Sequence, residues 1–182
     1  MFKVAVIVGS LRKESFNKKL MHALDKLSHP KLEFNILDLN EVPLFNQDNE
    51  NNLPAAVVNF KNTVTNANGV LFVTPEYNRS IPGVLKNIID WGTRPYGKNV
   101  WANKPSAIIG TSQGAVGTAI AQSHLRSILV SIGVILLGQP EVYIVYKNEL
   151  IDANYHITNE DTVKFLQGFL DRFSDWVESH TK

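Results

Sequence analysis

The sequence has no cysteine, almost no net charge and no long hydrophobic run. The absence of cysteine among its 182 residues excludes disulfide bonds, thiolate metal sites and a thiol nucleophile. The formal charge is only +1, whereas a nucleic-acid-binding surface is strongly basic. The five histidines lack the spacing of metal ligands. We therefore expect no nucleic acid partner and no protein-bound metal, and any redox chemistry must use a cofactor.

Hydrophobic segments are short throughout the chain. The first, at 4–8, is followed at once by Gly9 and Ser10 and has no basic lead-in of the kind that signal peptides carry. The longest other stretch, 128–137, is interrupted by a serine and a glycine and is shorter than the roughly 20 residues that cross a bilayer. The sequence therefore predicts a soluble cytoplasmic protein with no membrane partner.

Hydrophobic spacing predicts five strands that alternate with five helices. Strands are expected at 4–8, 32–38, 70–73, 106–110 and, as one interrupted strand, at 134–137 and 142–145. Helices are expected at 16–27, 57–67, 80–91 with Ser80 as the N-cap, 117–132 and 159–178. Parallel strands need crossover connections, and helical crossovers cover both faces of a sheet. We therefore predict one α/β domain, residues 1–182, with a parallel sheet between two helical layers.

The loop after the first predicted strand combines hydroxyl, guanidinium and amide side chains. Ser10, Arg12, Ser15 and Asn17 surround the start of a helix, where unpaired N–H groups favour an anion. The spacing matches neither the G-x-G-x-x-G loop nor the Gly-Lys-Ser/Thr loop of nucleotide sites. The loop thus favours a terminal phosphomonoester, and the structural alternative is a helix capped by Ser15 with a solvated Arg12.

Two further loops follow the third and fourth strands, at the sheet edge where doubly wound folds bind ligands. The first, 74–83, carries prolines, an aromatic ring and polar groups that suit a flat heterocycle. Its structural alternative is an ordinary connection with Tyr77 packed on the next helix. The second, 110–117, has three glycines that can present backbone N–H groups without obstruction by Cβ.

The loop after the fourth strand also matches G-x-S-x-G, the nucleophile elbow of α/β-hydrolases, with Ser112 at the nucleophile position. A hydrolase would need an acid and a histidine downstream, and Asp152 with His156 or His180 is the available order. Neither histidine follows an obvious strand, and a hydrolase leaves the phosphate loop without a purpose. The hydrolase stays an alternative at this point.

Taken together, these loops resemble the NADPH-dependent FMN reductase family. The matching residues are Gly9-Ser10-Leu11-Arg12 with Ser15 and Asn17, Thr74-Pro75-Glu76-Tyr77-Asn78, Pro82-Gly83, Leu85-Lys86-Asn87 and Asp90-Trp91. The sequence is most similar to the chromate and quinone reductase branch, which includes enzymes that act on azo compounds. The resemblance extends from Phe2 to the final helix. It departs at Thr118, where many relatives have the second glycine of a pair.

The resemblance implies a flavodoxin-like fold with strand order 2-1-3-4-5 and FMN as the cofactor. By resemblance, Ser10, Arg12, Ser15 and Asn17 would hold the FMN phosphate, Pro75, Glu76, Tyr77 and Asn78 would line the isoalloxazine ring, and Ser112 and Gly114 would complete the pocket. No side chain is expected to serve as a catalytic acid or base, because the flavin carries the chemistry.

The implied activity is a ping-pong oxidoreduction. NADPH or NADH would transfer a hydride to the flavin and leave, and a small-molecule acceptor would then take up the electrons. The implied acceptors are quinones, azo compounds, chromate and free flavin, and the implied assembly is a homodimer or homotetramer with flavins near the interface. An electron-carrier flavodoxin is a further alternative, although such carriers usually rely on strong negative charge for docking.

Overall fold

A computed structural model describes residues 1–28 and 30–181 of the chain as one parallel sheet with helices on both faces. The strands are β1 (Phe2–Val8), β2 (Leu32–Ile36), β3 (Gly69–Val73), β4 (Pro105–Ser112), β5 (Ile135–Leu136) and β6 (Tyr143–Val145). The helices are α1 (Phe16–Ser28), α2 (Ala55–Asn66), α3 (Gly83–Gly92), α4 (Ala119–Ser131) and α5 (Glu160–His180). A short 3-10 helix covers Gln47–Asn49.

The sheet has the order β2-β1-β3-β4-β5, and β6 pairs with a later part of β4. The β5 strand pairs with Pro105 and Ser106 at the start of β4, whereas β6 pairs with the segment 110–112 at its end. Both short strands therefore occupy the same edge of the sheet. The predicted strand order and the interrupted last strand are confirmed.

The central strands are buried on both faces, which explains their lack of polar residues. In β1, Val4, Val6 and Val8 point into a core shared with α1 and α5, and Ala5 and Ile7 point into a second core shared with α2, α3 and α4. Full burial of such a side chain contributes about 1.5–3 kcal/mol. Within the described residues, no helix is long and apolar enough to span a bilayer.

The prediction that Ser80 caps α3 was wrong. The helix begins at Gly83 with Pro82 at the N-cap position, where the carbonyl oxygen of Pro82 accepts from the N–H of Lys86 at 3.1 Å. The backbone N–H of Ser80 instead donates to the carbonyl oxygen of Tyr77 at 3.0 Å. Ser80 thus belongs to a tight turn that precedes the helix.

A buried lysine holds the segment that follows α3. Lys61 on α2 is 8% exposed, and its ammonium group donates to the carbonyl oxygens of Gly92 at 3.2 Å and Lys98 at 2.9 Å. The carbonyl oxygens of Trp91, at 3.5 Å, and Arg94 accept further hydrogen bonds. Burial lowers the pKa of Lys61 to about 8, because a charged amine is less stable away from water.

Candidate functional site

The turns after β1, β3 and β4 converge on one pocket of about 170 Å³ at the carboxyl edge of the sheet. Its wall consists of Ser10, Arg12, Ser15, Phe16, Asn17, Pro75, Glu76, Tyr77, Thr111, Ser112 and Gln113. All the predicted site residues except Asn78 and Gly114 are therefore brought together. Phe16, Thr111 and Gln113 also line the pocket, but the sequence did not indicate them as site residues.

A larger groove of about 470 Å³ lies between β6 and the first turns of α5. It contains none of the predicted site residues. Its walls come from β6, the following loop at 147–150 and the segment 158–165 around the start of α5, whereas the turns after three parallel strands meet at the smaller pocket. Convergent polar groups, rather than volume, therefore identify the candidate site.

The first turn places two buried serines at the start of α1. Ser10 is 5% exposed and Ser15 is 4% exposed, and both are in the pocket wall. Ser15 begins the helix, since its carbonyl oxygen accepts from the N–H of Lys19 at 3.0 Å and its hydroxyl accepts weakly from that of Lys18 at 3.4 Å. The capping role and the place in the pocket wall thus coexist in Ser15.

Arg12 is held over the first turn by its own neighbours. Its Nε donates to the carbonyl oxygen of Glu14 at 2.9 Å, and its guanidinium lies 4.7 Å from the ring centre of Phe16. That ring stacks on Tyr146 with a separation of 4.0 Å. The cation is therefore positioned at the pocket, while its side chain stays exposed to solvent.

The second turn has an unusual backbone at residues 77–80. Tyr77 and Ser80 exchange backbone hydrogen bonds of 3.0 Å, and the two central residues, Asn78 and Arg79, have positive φ angles of 50° and 63°. Two such residues in succession are typical of a type I′ turn. The turn carries Tyr77 at the pocket wall with its side chain partly exposed.

Glu76 connects this turn to the third one. Its Oε2 accepts hydrogen bonds from the backbone N–H groups of Ile120 and Ala121, each at 3.0 Å, and its Oε1 lies 3.0 Å from Nη1 of Arg79. Burial opposes ionisation of the carboxyl group, but the hydrogen bonds from Ala121, Arg79 and Ile120 outweigh it and hold the pKa of Glu76 below its ordinary value. An ionised Glu76 thus fixes two walls of the pocket relative to each other.

Ser112 is the last residue of β4, and its surroundings do not support a hydrolase. Its hydroxyl donates to the carbonyl oxygen of Gly117. The proposed partners Asp152 and His156 form an exposed side-chain contact of 3.3 Å with each other, and His180 contacts Trp176 at the end of α5. Among the described residues, none of the hydrogen bonds links Ser112 to a histidine, so the structure does not support the hydrolase alternative.

The groups in this wall fit a flavin mononucleotide. Hydroxyl groups, a guanidinium and the N-terminus of α1 suit a phosphate, and Pro75 and Tyr77 offer flat apolar surfaces to a ring. Glu76 is the carboxylate in the wall, and it is engaged by α4 and Arg79. An anion at Arg12 therefore meets no free carboxylate of the pocket wall.

Comparison with known proteins supports the same assignment. The model of the NADPH-dependent FMN reductase family matches residues 2–149. The chain is 52% identical over 175 residues to a 2-hydroxy-1,4-benzoquinone reductase of a Burkholderia species, with 96% of each chain covered. It is 43% identical over 178 residues to a quinone reductase of Pseudomonas putida, with 97% of this chain and 95% of that protein covered.

A solved structure extends the likeness to three dimensions. FerB, a flavoenzyme NAD(P)H:(acceptor) oxidoreductase from Paracoccus denitrificans, is 47% identical, covers 100% of both chains and has a TM-score of 0.97. The parallel sheet and the three-turn pocket define a flavodoxin-like flavoprotein. The chain belongs to the NADPH-dependent FMN reductase family. It is an oxidoreductase that uses FMN and NAD(P)H, and the hydrolase and carrier alternatives find no support.

Proposed function

We propose that this protein reduces quinones with electrons from NADPH or NADH. In the balanced reaction, a quinone, NAD(P)H and one proton give a hydroquinone and NAD(P)⁺. The observation that carries the proposal is the 52% identity, over 96% of both chains, to a 2-hydroxy-1,4-benzoquinone reductase. Chromate, azo compounds and free flavin are further candidate acceptors, to be compared with quinones in the same assay.

The pocket wall divides into a phosphate side and a ring side. Arg12 and its neighbours Ser10, Ser15 and Asn17 hold the phosphate of FMN. The ring side consists of the wall residues Pro75, Glu76, Tyr77 and Ser112, and the neighbouring Asn78 and Gly114 would complete it when FMN binds. When bound, FMN supplies the ability to accept a hydride and to release one or two electrons.

The contribution of the chain is orientation and electrostatics rather than acid–base catalysis. The Glu76 bridge holds the turn at 77–80 against the start of α4, which keeps the two ring walls at a fixed separation. Backbone N–H groups of the loop segment 113–116 would be available to stabilise negative charge on a bound ring. Tyr77 and Gln113 are exposed members of the wall, so solvent can reach the pocket and supply the proton.

The visible spectrum of the purified protein tests the proposal. A yellow protein is expected, and anaerobic NADPH should bleach it. Subsequent anaerobic addition of a quinone should restore the colour with formation of one hydroquinone per quinone. A protein that takes up no FMN, or whose bleached form does not respond to quinone, would contradict the proposal.

The proposed assembly is a homodimer, which can pair into a homotetramer. The proposed location is the cytoplasm, where NAD(P)H is available. Leu44 is 83% exposed and Tyr96 is 92% exposed. Both lie in segments attached to the α3 region, because Pro43 accepts a hydrogen bond from Trp91 at 2.8 Å and Lys61 binds the carbonyl groups around Tyr96. Light scattering should show a smaller assembly for a Leu44→Ser, Tyr96→Ser variant than for the parent protein.

A further inference from the structure

The turn at residues 77–80 places a cation beside the pocket that quinone reduction alone does not require. The Arg79 side chain is 69% exposed, and its Nη1 lies 3.0 Å from the Glu76 carboxylate, which is itself in the pocket wall. The phosphate of FMN is assigned to the other side of the pocket, at Arg12 and the start of α1. Arg79 is therefore a charged group of the ring side without a ligand of its own.

The backbone at Arg79 disfavours a side chain. Its φ angle of 63° falls at the second central position of a type I′ turn, where glycine is preferred because a Cβ crowds the neighbouring carbonyl oxygen. The chain has Asn-Arg where the favoured pair would be Asn-Gly. Such conformational costs tend to persist where the side chain serves a function.

Glu76 neutralises only part of the positive charge at this side of the pocket. Its second oxygen accepts the N–H groups of Ile120 and Ala121, at the positive end of the α4 dipole. Within residues 1–28 and 30–181, Glu76 is the one ion-pair partner of Arg79. The carboxylate of Glu76 is therefore shared between the start of α4 and Arg79.

We propose that Arg79 selects acceptors that carry a negative charge on the quinone ring, such as hydroxyquinones, and this inference rests on the proposed quinone reduction. A hydroxyl group conjugated through the ring to a carbonyl is a vinylogous carboxylic acid and is ionised at neutral pH. Its charge is shared by two oxygens, and a planar guanidinium can donate two parallel hydrogen bonds to an anion.

The competing anion is the 2′-phosphate of NADPH. That phosphate is at the opposite end of the dinucleotide from the nicotinamide, which must reach the same ring side of the pocket. Arg79 contacts Glu76 in the wall itself, close to where a ring has to lie. Its position therefore favours the charge of a ring-bound acceptor over that of the distant phosphate.

Two quinones of nearly the same shape can be used to distinguish the effect of acceptor charge from the effect of ring contacts. At pH 7, 2-hydroxy-1,4-naphthoquinone is an anion, whereas 2-methoxy-1,4-naphthoquinone is neutral. Arg79→Gln should lower kcat/KM for the hydroxyquinone about tenfold, the effect of losing one charge-assisted contact, and change that for the methoxyquinone by less than about twofold. Arg79→Lys should recover part of the loss because it restores the charge without the planar fork.

Arg172→Gln is the matched control. It removes the same charge from an exposed position on α5 outside the pocket wall. Arg172→Gln should change kcat/KM for neither quinone, because an exposed charge outside the pocket wall is screened by solvent and salt.

Equilibrium dialysis gives a readout that does not depend on turnover. The hydroxyquinone is dialysed against oxidised holoprotein without NAD(P)H, and its Kd should rise about tenfold in Arg79→Gln. The difference between the parent protein and the variant should vanish at a pH below the pKa of the hydroxyquinone itself.

Three results would overturn the inference. Equal losses of kcat/KM with the hydroxyquinone and the methoxyquinone would mean that Arg79 only maintains the turn. An unchanged Kd of the hydroxyquinone in dialysis would mean that Arg79 does not contact it. Slower anaerobic flavin bleaching by NADPH, with unchanged bleaching by NADH, would reassign Arg79 to the dinucleotide phosphate. If the parent protein reduces neither quinone, the proposed function fails, and the dialysis still decides whether Arg79 binds the anion.

Discussion

The carbonyl oxygen of Thr74 lies 2.1 Å from the position that a Cβ on Gly110 would occupy. The same Cβ would lie 2.5 Å from Oγ1 of Thr118. The ends of β3 and β4 therefore approach so closely beneath the pocket that a methyl group does not fit between them. Because the obstacle is partly backbone, rotation of a side chain cannot relieve it.

Gly110→Ala is accordingly expected to lower the free energy of unfolding by about 3 kcal/mol, since overpacking a rigid core commonly costs 1–3 kcal/mol or more. Gly168→Ala is the matched control, because a Cβ there would meet nothing within 4 Å in the interior of α5. It should raise the free energy of unfolding by about 0.5–1 kcal/mol. Urea denaturation measures both changes, and similar effects at the two glycines would contradict the steric argument.

Asn17 ties the first turn of α1 to β4. Its Nδ2 donates to the carbonyl oxygen of Thr111 at 2.9 Å, and its Oδ1 accepts from the N–H of Thr111 at 3.0 Å. Asn17→Asp removes the donor and sets a carboxylate against a buried carbonyl group. The free energy of unfolding should fall by about 1–3 kcal/mol.

The control for this variant is Asn35→Asp at an exposed position of β2, which should change the free energy of unfolding by less than about 0.5 kcal/mol. Chemical denaturation of the FMN-free proteins gives both values. If the two variants were equally stable, the Asn17–Thr111 pair would not hold the turns together.

Arg12 is predicted to retain the cofactor. Loss of a charge-assisted phosphate contact costs about 1.5–3 kcal/mol, so Arg12→Ala should raise the Kd of FMN about 10- to 100-fold. Arg12→Lys should lie between, because a lysine keeps the charge but lacks the planar group that stacks on Phe16. Flavin fluorescence during titration of the FMN-free protein measures the Kd, with Lys13→Ala as the control. An FMN affinity that is unaffected by Arg12→Ala would remove the residue from the phosphate site.

Lys61 makes stability depend on pH in the alkaline range. Its pKa in the folded state, about 8, is below the ordinary value of 10.5. Between these values the unfolded chain keeps a proton that the folded protein has lost, so the free energy of unfolding rises with pH by up to about 1.4 kcal/mol per unit. Below pH 8 both states are protonated, and this dependence disappears.

Lys61→Met removes the titrating amine but keeps an apolar stem. Urea denaturation at several pH values from 7.5 upward should show the parent protein gaining stability relative to Lys61→Met. Lys3→Met, at an exposed position of β1, controls for the loss of a lysine. A difference in the free energy of unfolding between the parent protein and Lys61→Met that stays constant with pH would contradict the lowering of the Lys61 pKa by burial.

The sequence was sufficient for the fold because the strands are buried on both faces. Uninterrupted apolar runs such as 4–8 and 70–73 are typical of buried parallel strands when they alternate with segments of helical spacing. The grouping of Ser10, Glu76 and Ser112 in one pocket could also be predicted, since parallel strands direct their following loops to one edge. The contacts of these residues with FMN stay predictions.

Other features depend on side-chain directions that a sequence does not encode. Nothing in the pattern indicates that Glu76 points towards the N-terminus of α4, or that the amide group of Asn17 forms hydrogen bonds with the backbone of Thr111. Ser80 lies just before a helix start that contains a proline, as an N-cap residue would. Its backbone N–H and carbonyl oxygen are instead paired with those of Tyr77, and the helix begins at Gly83. Ser112 matched a nucleophile motif whose partners the fold places elsewhere.

The enclosure of Lys61 has a chemical consequence for a protein that is proposed to reduce quinones. Quinones add covalently to thiols and to uncharged amines, and the chain has no thiol to offer. Lys61 is the amine with a pKa of about 8, yet four carbonyl groups surround its nitrogen in the interior. The fold thus encloses a lysine with a lowered pKa, which hinders arylation of its nitrogen by an electrophile.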